Sequence, residues 1–207
     1  MRYVNLETAA ADRDLAPGEA EHLALALANS TYLLPKHGRT DLLATPDGAR
    51  AWLAAVGLAP ADADVRELCA SRLRDLRTHV RALLEACVED RTPPADSLDA
   101  INAALTSVPS ASLLHYDDDR RWHRAAAHPV TQLVDRALAV ITADLADLLT
   151  GPDGELVARC GAPSCERFLL RTHARRTWCS VRCGDRVRAA RSYARRSHAT
   201  GSVAARA

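Results

Sequence analysis

Cys160, Cys165, Cys179 and Cys183 are spaced C-x4-C, then thirteen residues, then C-x3-C. Two close pairs of thiols across a short excursion are the donor set of a tetrahedral zinc site, each pair gripping the ion from one turn. Four thiolates leave no open coordination position, so the expected site is structural and takes one Zn2+. His173 lies between the pairs and is an alternative ligand. The second pair runs directly into a helical pattern, Val181 to Arg196, with Ser180 placed to cap it. At about 100° per residue, Cys183, Val187, Ala190 and Ala194 share one apolar stripe. Arg182, Arg186 and Arg196 flank it on one side, with Tyr193 among them. Arg188, Arg191 and Arg195 lie on the other, and Arg175 and Arg176 precede Trp178. Such a helix suits phosphates on both sides of a groove. Arg186, one turn in, is the candidate for reading a base edge. The plainer alternative is a solvated, arginine-coated helix.

Charge is divided along the chain. Residues 1–150 carry fifteen basic and twenty-two acidic side chains, whereas residues 151–207 carry twelve and four. That asymmetry points the C-terminal part, and not the rest, at a polyanion. Lys36 is the single lysine, so arginine identity says little and its clustering says more. No apolar leader opens the chain, and no stretch approaches the roughly 18 apolar residues of a membrane span. The expectation is a cytoplasmic, nucleoid-associated protein, in a reducing compartment where clustered cysteines hold metal rather than disulfides.

The elements that must position this chemistry are mostly helices. Apolar residues make up 48% of the chain but aromatics only 4%, so alanine and leucine fill the core, which favours helix. Residues 18–34 read as a leucine- and alanine-rich helix ending near Asn29–Ser30. Thr45-Pro46 opens a second helix that Gly57 closes, with Ala51, Trp52, Ala55 and Val56 in one stripe. Residues 62–90 hold the longest helical pattern, through Val65, Leu68, Cys69, Leu73, Leu76, Val80, Leu83, Leu84 and Cys87. A shorter helix passes through Leu98, Ile101, Asn102 and Leu105. Residues 110–127 read as a small β-hairpin turning at Asp117–Asp119. A last body helix begins at His128-Pro129 and turns Val130, Leu133, Val134, Leu138, Ile141, Leu145 and Leu148 inward. Gly151-Pro152-Asp153-Gly154 breaks it.

The expected architecture is therefore mainly α. A helical domain with one hairpin spans 1–150, a zinc knuckle or ribbon leading into a basic helix spans 155–196, and a disordered tail spans 197–207. Cys69 and Cys87 are expected to be buried apolar thiols. His115, His123 and His128 with Asp117–Asp119 read as a solvated turn, and Asn29 as a helix C-cap. No nucleophile elbow, phosphate loop or paired-carboxylate spacing is present, so an enzyme is not expected.

The C-terminal residues resemble the CGNR zinc-finger family. Its signature is carried here by Cys160, Cys165, Phe168, Arg175, Arg176, Trp178, Cys179, Ser180, Cys183, Gly184 and Arg186. Members usually bear an N-terminal ABATE domain, described as a stress-induced transcription regulator. LALALANS at 23–30 and DLLATPDGARAWLAAVGL at 41–58 are similar to its blocks. Asp185 stands where the family has asparagine, and Ala26 where an aspartate is frequent. The resemblance implies a zinc-dependent, DNA-binding transcription regulator, whose N-terminal region senses a small-molecule effector or forms a homodimer. The alternatives are an RNA-binding protein using the same knuckle, or a protein-interaction module without nucleic acid.

Overall fold

The computed structural model describes residues 14–34, 38–107, 112–116, 121–126, 133–173 and 175–204. Among the described residues, six α-helices and three two-stranded antiparallel sheets follow in chain order. They are α1 (Leu23–Ala28), β1 (Thr31–Leu34), β2 (Gly38–Asp41), α2 (Pro46–Ala55), α3 (Glu67–Val88), α4 (Ala95–Thr106), β3 (Ser112–Tyr116), β4 (Trp122–Ala126), α5 (Leu133–Thr150), β5 (Val157–Arg159), β6 (Phe168–Leu170) and α6 (Val181–Ala204). The mainly helical reading holds.

The centre of the body is its shortest helix. All six residues of α1 are buried, as expected for LALALA, which has no polar face to show to water. Such a helix must find partners for its end groups inside the protein. Asp144 of α5 accepts the Ala24 N–H at 2.8 Å, and Arg81 of α3 donates to the Ala28 carbonyl at 2.7 Å. Around α1, the stripes of α3 and α5 bury Leu73, Val80, Leu84, Ile141, Leu145 and Leu148. Helix α2 starts as its sequence requires. Thr45 accepts the Gly48 N–H at 3.1 Å, Pro46 occupies the first turn, and Gly57 follows the helix with φ +74°.

Several expectations need correction. The helix expected across residues 18–34 is confined to Leu23–Ala28, and Thr31–Leu34 pairs with β2 as a second hairpin in the body. The run TYLL is apolar enough to prolong a helix, but a partner strand is available and Arg77 fixes it. Arg77 donates to Asp41 at 2.6 and 2.7 Å and to Ser30 at 2.8 Å. The expected hairpin is present as β3–β4, with Tyr116 opposite Trp122; Asp117–Asp119 and His128 lie outside the described residues. Cys69 is half-buried and Cys87 exposed, because the α3 stripe faces the body through Leu73, Leu76, Val80 and Leu84 instead. Ala51 and Leu68 also point outward.

Sequence composition changes near Gly151, but packing does not stop there. Val157, Phe168 and Leu170 of β5–β6 belong to the same buried cluster as the body helices. In return, Ala16, which precedes α1, lies in the smaller cluster around the cysteines. Helix α6 continues to Ala204, where the sequence reading ended it at Arg196 with a disordered tail.

Candidate metal centre

Two knuckles form from two local rules. Strands β5 and β6 pair with Arg159 opposite Phe168, and Cys160 extends that ladder by donating its N–H to the Arg167 carbonyl at 2.9 Å. The loop they enclose turns through Ala162–Cys165, with Ser164 at φ +61°, and presents Cys160 and Cys165. The second knuckle is the start of α6. Ser180 accepts the Cys183 N–H at 3.2 Å, capping the helix as expected and placing Cys183 in its first turn. The Gly161 N–H donates to Thr177 at 2.8 Å and so ties the knuckles together.

The four sulfurs all lie within 4.8 Å of one another. Cys165 to Cys179 is 3.7 Å and Cys179 to Cys183 is 3.6 Å. A tetrahedron with Zn–S of about 2.3 Å has edges of about 3.8 Å, whereas a disulfide would hold its sulfurs at about 2.05 Å. The thiols are free, and their spacing is that of zinc ligands. Protons alone serve this cluster badly. Hydrogen bonds from Cys165 and Cys179 hold the Cys160 thiol down to about 2, and the same contacts push Cys165 up to about 11 and Cys179 up as well. Four adjacent thiolates need a cation to ionise together, and a soft divalent metal supplies it. The donors fit one structural zinc. His173 is exposed and outside the cluster, so the four cysteines are the ligands.

The arginines fall into different roles. Arg186 is half-buried and donates to Cys183 Sγ at 3.7 Å. One guanidinium nitrogen of this residue, the sequence candidate for reading a base edge, is thus directed at a metal ligand. Arg188 lies over the Trp178 ring at 5.8 Å and pairs with Asp185 at 2.6 Å. Gly184 makes that stack possible: an added Cβ would stand 3.2 Å from Trp178 and 3.1 Å from Arg188. Asp185, the departure from the family asparagine, therefore serves Arg188. Arg175, Arg182, Arg191 and Arg195 are exposed and Arg176 is half-buried; the Arg196 side chain lies outside the described residues. The apolar stripe of α6 ends at Val187. Ala190 and Ala194 are exposed, because nothing in the knuckle reaches that far along the helix. His173, Arg175, Arg176, Trp178, Gly184 and Arg188 line a cleft of about 250 Å³ beside the helix start.

Two buried charges beside the cysteines, Arg167 and Glu19, had no signal in the sequence. Arg167 is 6% exposed and donates to Cys179 Sγ at 3.8 Å and to Glu19 at 2.6 Å. Glu19 sits in the turn before α1, 148 residues away. Asn29 is the C-cap of α1 as expected, but its side chain does more: it donates to the Phe168 carbonyl and accepts the Phe168 N–H, both at 2.8 Å. Phe168 itself packs into the body core rather than on the knuckle.

Comparison with known families gives two matches. Residues 21–152 match the ABATE model, described as "Putative stress-induced transcription regulator", and residues 157–196 match the CGNR zinc finger. No curated protein matches the chain.

Proposed function

The chain belongs to the ABATE family and carries a CGNR zinc finger, and from that premise we propose that it is a DNA-binding transcription regulator whose zinc centre presents helix α6 to duplex DNA. The observation that carries this reading is the exposure of α6 beyond its anchor. Four thiols fix its first turn, Val187 is its last buried side chain among the described residues, and Arg188, Arg191 and Arg195 stand in solvent after it. A helix of 24 residues is about 36 Å long, and a B-form major groove about 12 Å wide admits it. The acidic balance of residues 1–150 keeps the body off the phosphates.

Duplex is favoured over single strands because stacking platforms are few. Phe168 is fully buried, the Trp178 face carries Arg188, and Tyr193 is the one exposed aromatic of the finger among the described residues. The body then supplies the regulatory input, through a small-molecule effector or a second copy of the chain. Selection from random duplex DNA in parallel with random RNA, at fixed salt, tests the reading. Enrichment of duplex sequences with affinity that falls steeply with salt is the expected result. Enrichment of RNA alone transfers the function to the single-strand class, and affinity indifferent to salt with no enriched pool removes nucleic acid altogether.

A further inference from the structure

The zinc finger is not hung on the body by a linker; the body grips a residue that donates to one of its metal ligands. Zn2+ with four thiolates is a dianion, and two guanidinium groups donate to ligand sulfurs: Arg186 to Cys183 at 3.7 Å and Arg167 to Cys179 at 3.8 Å. Arg186 belongs to the finger's own helix. Arg167 is held from outside. Its second nitrogen donates to Glu19 at 2.6 Å, and the side chains of both are buried, at 7% and 0% exposure. Asn29 donates to the same Glu19 oxygen at 2.5 Å, and its amide pairs with both backbone groups of Phe168, the residue after Arg167. Arg81 completes the joint, donating to Ala28 at 2.7 Å and to the Glu166 carbonyl at 2.9 Å, with its guanidinium 5.1 Å from the Phe168 ring centroid. One residue on each side of Arg167 is thus tied to the end of α1.

We propose that zinc retention is set from the helical body. Asn29, with Glu19 and Arg81, holds β6 and Arg167 where the thiolates need them, so that bound metal and the packing of α1 stabilise one docked state of the finger together. These are positioning residues, since none of them touches the ion. Outer partners of metal ligands commonly matter to affinity; what is particular here is that one of them, Arg167, is held in place by residues outside the finger. The coupling is reciprocal by linkage: whatever loosens the end of α1 must weaken zinc, and losing zinc must loosen the end of α1 by the same factor. An effector or partner that moves α1 would then act on the finger through its metal.

The test is competition with a chromogenic chelator on full-length, zinc-loaded protein. Asn29→Ala should raise the apparent zinc Kd about tenfold or more, and Arg81→Met by a smaller factor that still exceeds about twofold. Ile101→Ala serves as control. It truncates a buried side chain on α4, which packs chiefly on α3 and α5. It should destabilise the body while leaving zinc affinity within about twofold of wild type. If Asn29→Ala does not fold, the same comparison between Arg81→Met and Ile101→Ala decides, because Arg81 can be cut back without opening the core. Zinc affinity unchanged in the Asn29 and Arg81 variants, or lowered as far by Ile101→Ala, overturns the proposal.

Discussion

The body and the finger bury side chains for different reasons. In the body, Trp52, Leu53, Leu73, Leu84, Ile141, Leu145 and Leu148 form one continuous apolar cluster, and removing their surface from water is the stabilising term. Around the cysteines the cluster is small: Ala16, Ala158, Ala162, Leu169 and Val187 surround Cys160, Cys179 and Cys183. That much apolar area cannot fix two knuckles and a helix, so metal bonds must do it. Buried polar chemistry is distributed accordingly. The Glu19–Arg167–Asn29 group is fully buried where the two clusters meet, and there each charge has a partner. The difference teaches that a module delimited by its motif can still depend on its neighbour for packing, here through Val157, Phe168 and Leu170.

The strongest test removes the metal. Cys179→Ser should abolish zinc binding, and structural zinc is worth roughly 10–16 kcal/mol of apparent binding energy in small fingers. A finger folding by itself would lose its own structure and leave the body intact. Because Phe168 and Leu170 lie in the body cluster, the expected outcome is that body unfolding, followed by circular dichroism at 222 nm, also shifts to lower temperature. Metal analysis with a thermal melt checks both halves; a zinc-free variant melting like wild type would restore the independent finger.

Next come substitutions at the meeting of the clusters. Phe168→Ala should cost about 3–5 kcal/mol by urea denaturation, the usual range for a truncated core aromatic, although its residue lies in the finger sequence. Gly18→Ala should also destabilise. Gly18 has φ +92°, and an added Cβ would fall 2.6 Å from Leu170 and 2.8 Å from Leu25, one side chain from each region. Overpacking of this kind costs about 1–3 kcal/mol, to which the backbone strain adds. If Gly18→Ala matches wild type in denaturant midpoint, the close approach of the two regions at that turn is wrong.

Legibility from sequence followed the same division. Spacing rules exposed much that is local: the thiol pairs, the Ser180 cap, the Thr45 cap and most of the stripes of α3 and α5. Where a residue is defined by a partner far along the chain, no period or spacing marks it. Glu19 reads as an ordinary charge in a turn, and Arg167 as one more arginine in a basic segment. The stripe of α6 erred in the opposite way. Ala190 and Ala194 fit the period of Cys183 and Val187, but periodicity gives a face and not the length over which something covers it. Arg186 reads as a base reader because it sits one turn into a basic helix; its contact with the Cys183 sulfur is visible only in three dimensions.

Beyond Val187, the finger should behave as a surface and nothing more. Arg191→Ala and Arg195→Ala remove exposed side chains, so stability should change by no more than about 0.5 kcal/mol. On a selected duplex each should lower the log–log salt slope by about 0.9 if its phosphate contact is real. Arg186→Ala should act differently, weakening zinc retention before any effect on sequence preference. Chelator competition and a salt titration on the same three variants separate the two halves of the helix. An Arg186→Ala variant with normal zinc affinity and a relaxed preference at one base would return that residue to the DNA.

The smallest expected effect is one of pH, and it belongs to the joint. His22 precedes α1 and faces two carboxylates, Asp144 of α5 at 3.3 Å and Asp153, in the turn leading to β5, at 3.5 Å. Its hydrogen bond to Asp144 outweighs the opposing effect of burial, and the pKa is raised above the ordinary 6.5. A histidine that binds its proton more tightly when folded stabilises the folded state in its charged form. That contribution is complete below the unfolded value of 6.5 and is lost as pH rises through the higher folded value. Stability should therefore decline gently from pH 6 towards pH 8, and His22→Gln should flatten this part of the profile while keeping a polar group between the carboxylates. Since Asp144 also caps α1 through Ala24 at 2.8 Å, the decline should be shared by the α1 amides in hydrogen exchange and not by those of α4. A slope of the opposite sign in wild type, or one that persists in His22→Gln, would remove His22 from the groups that hold the start of α1.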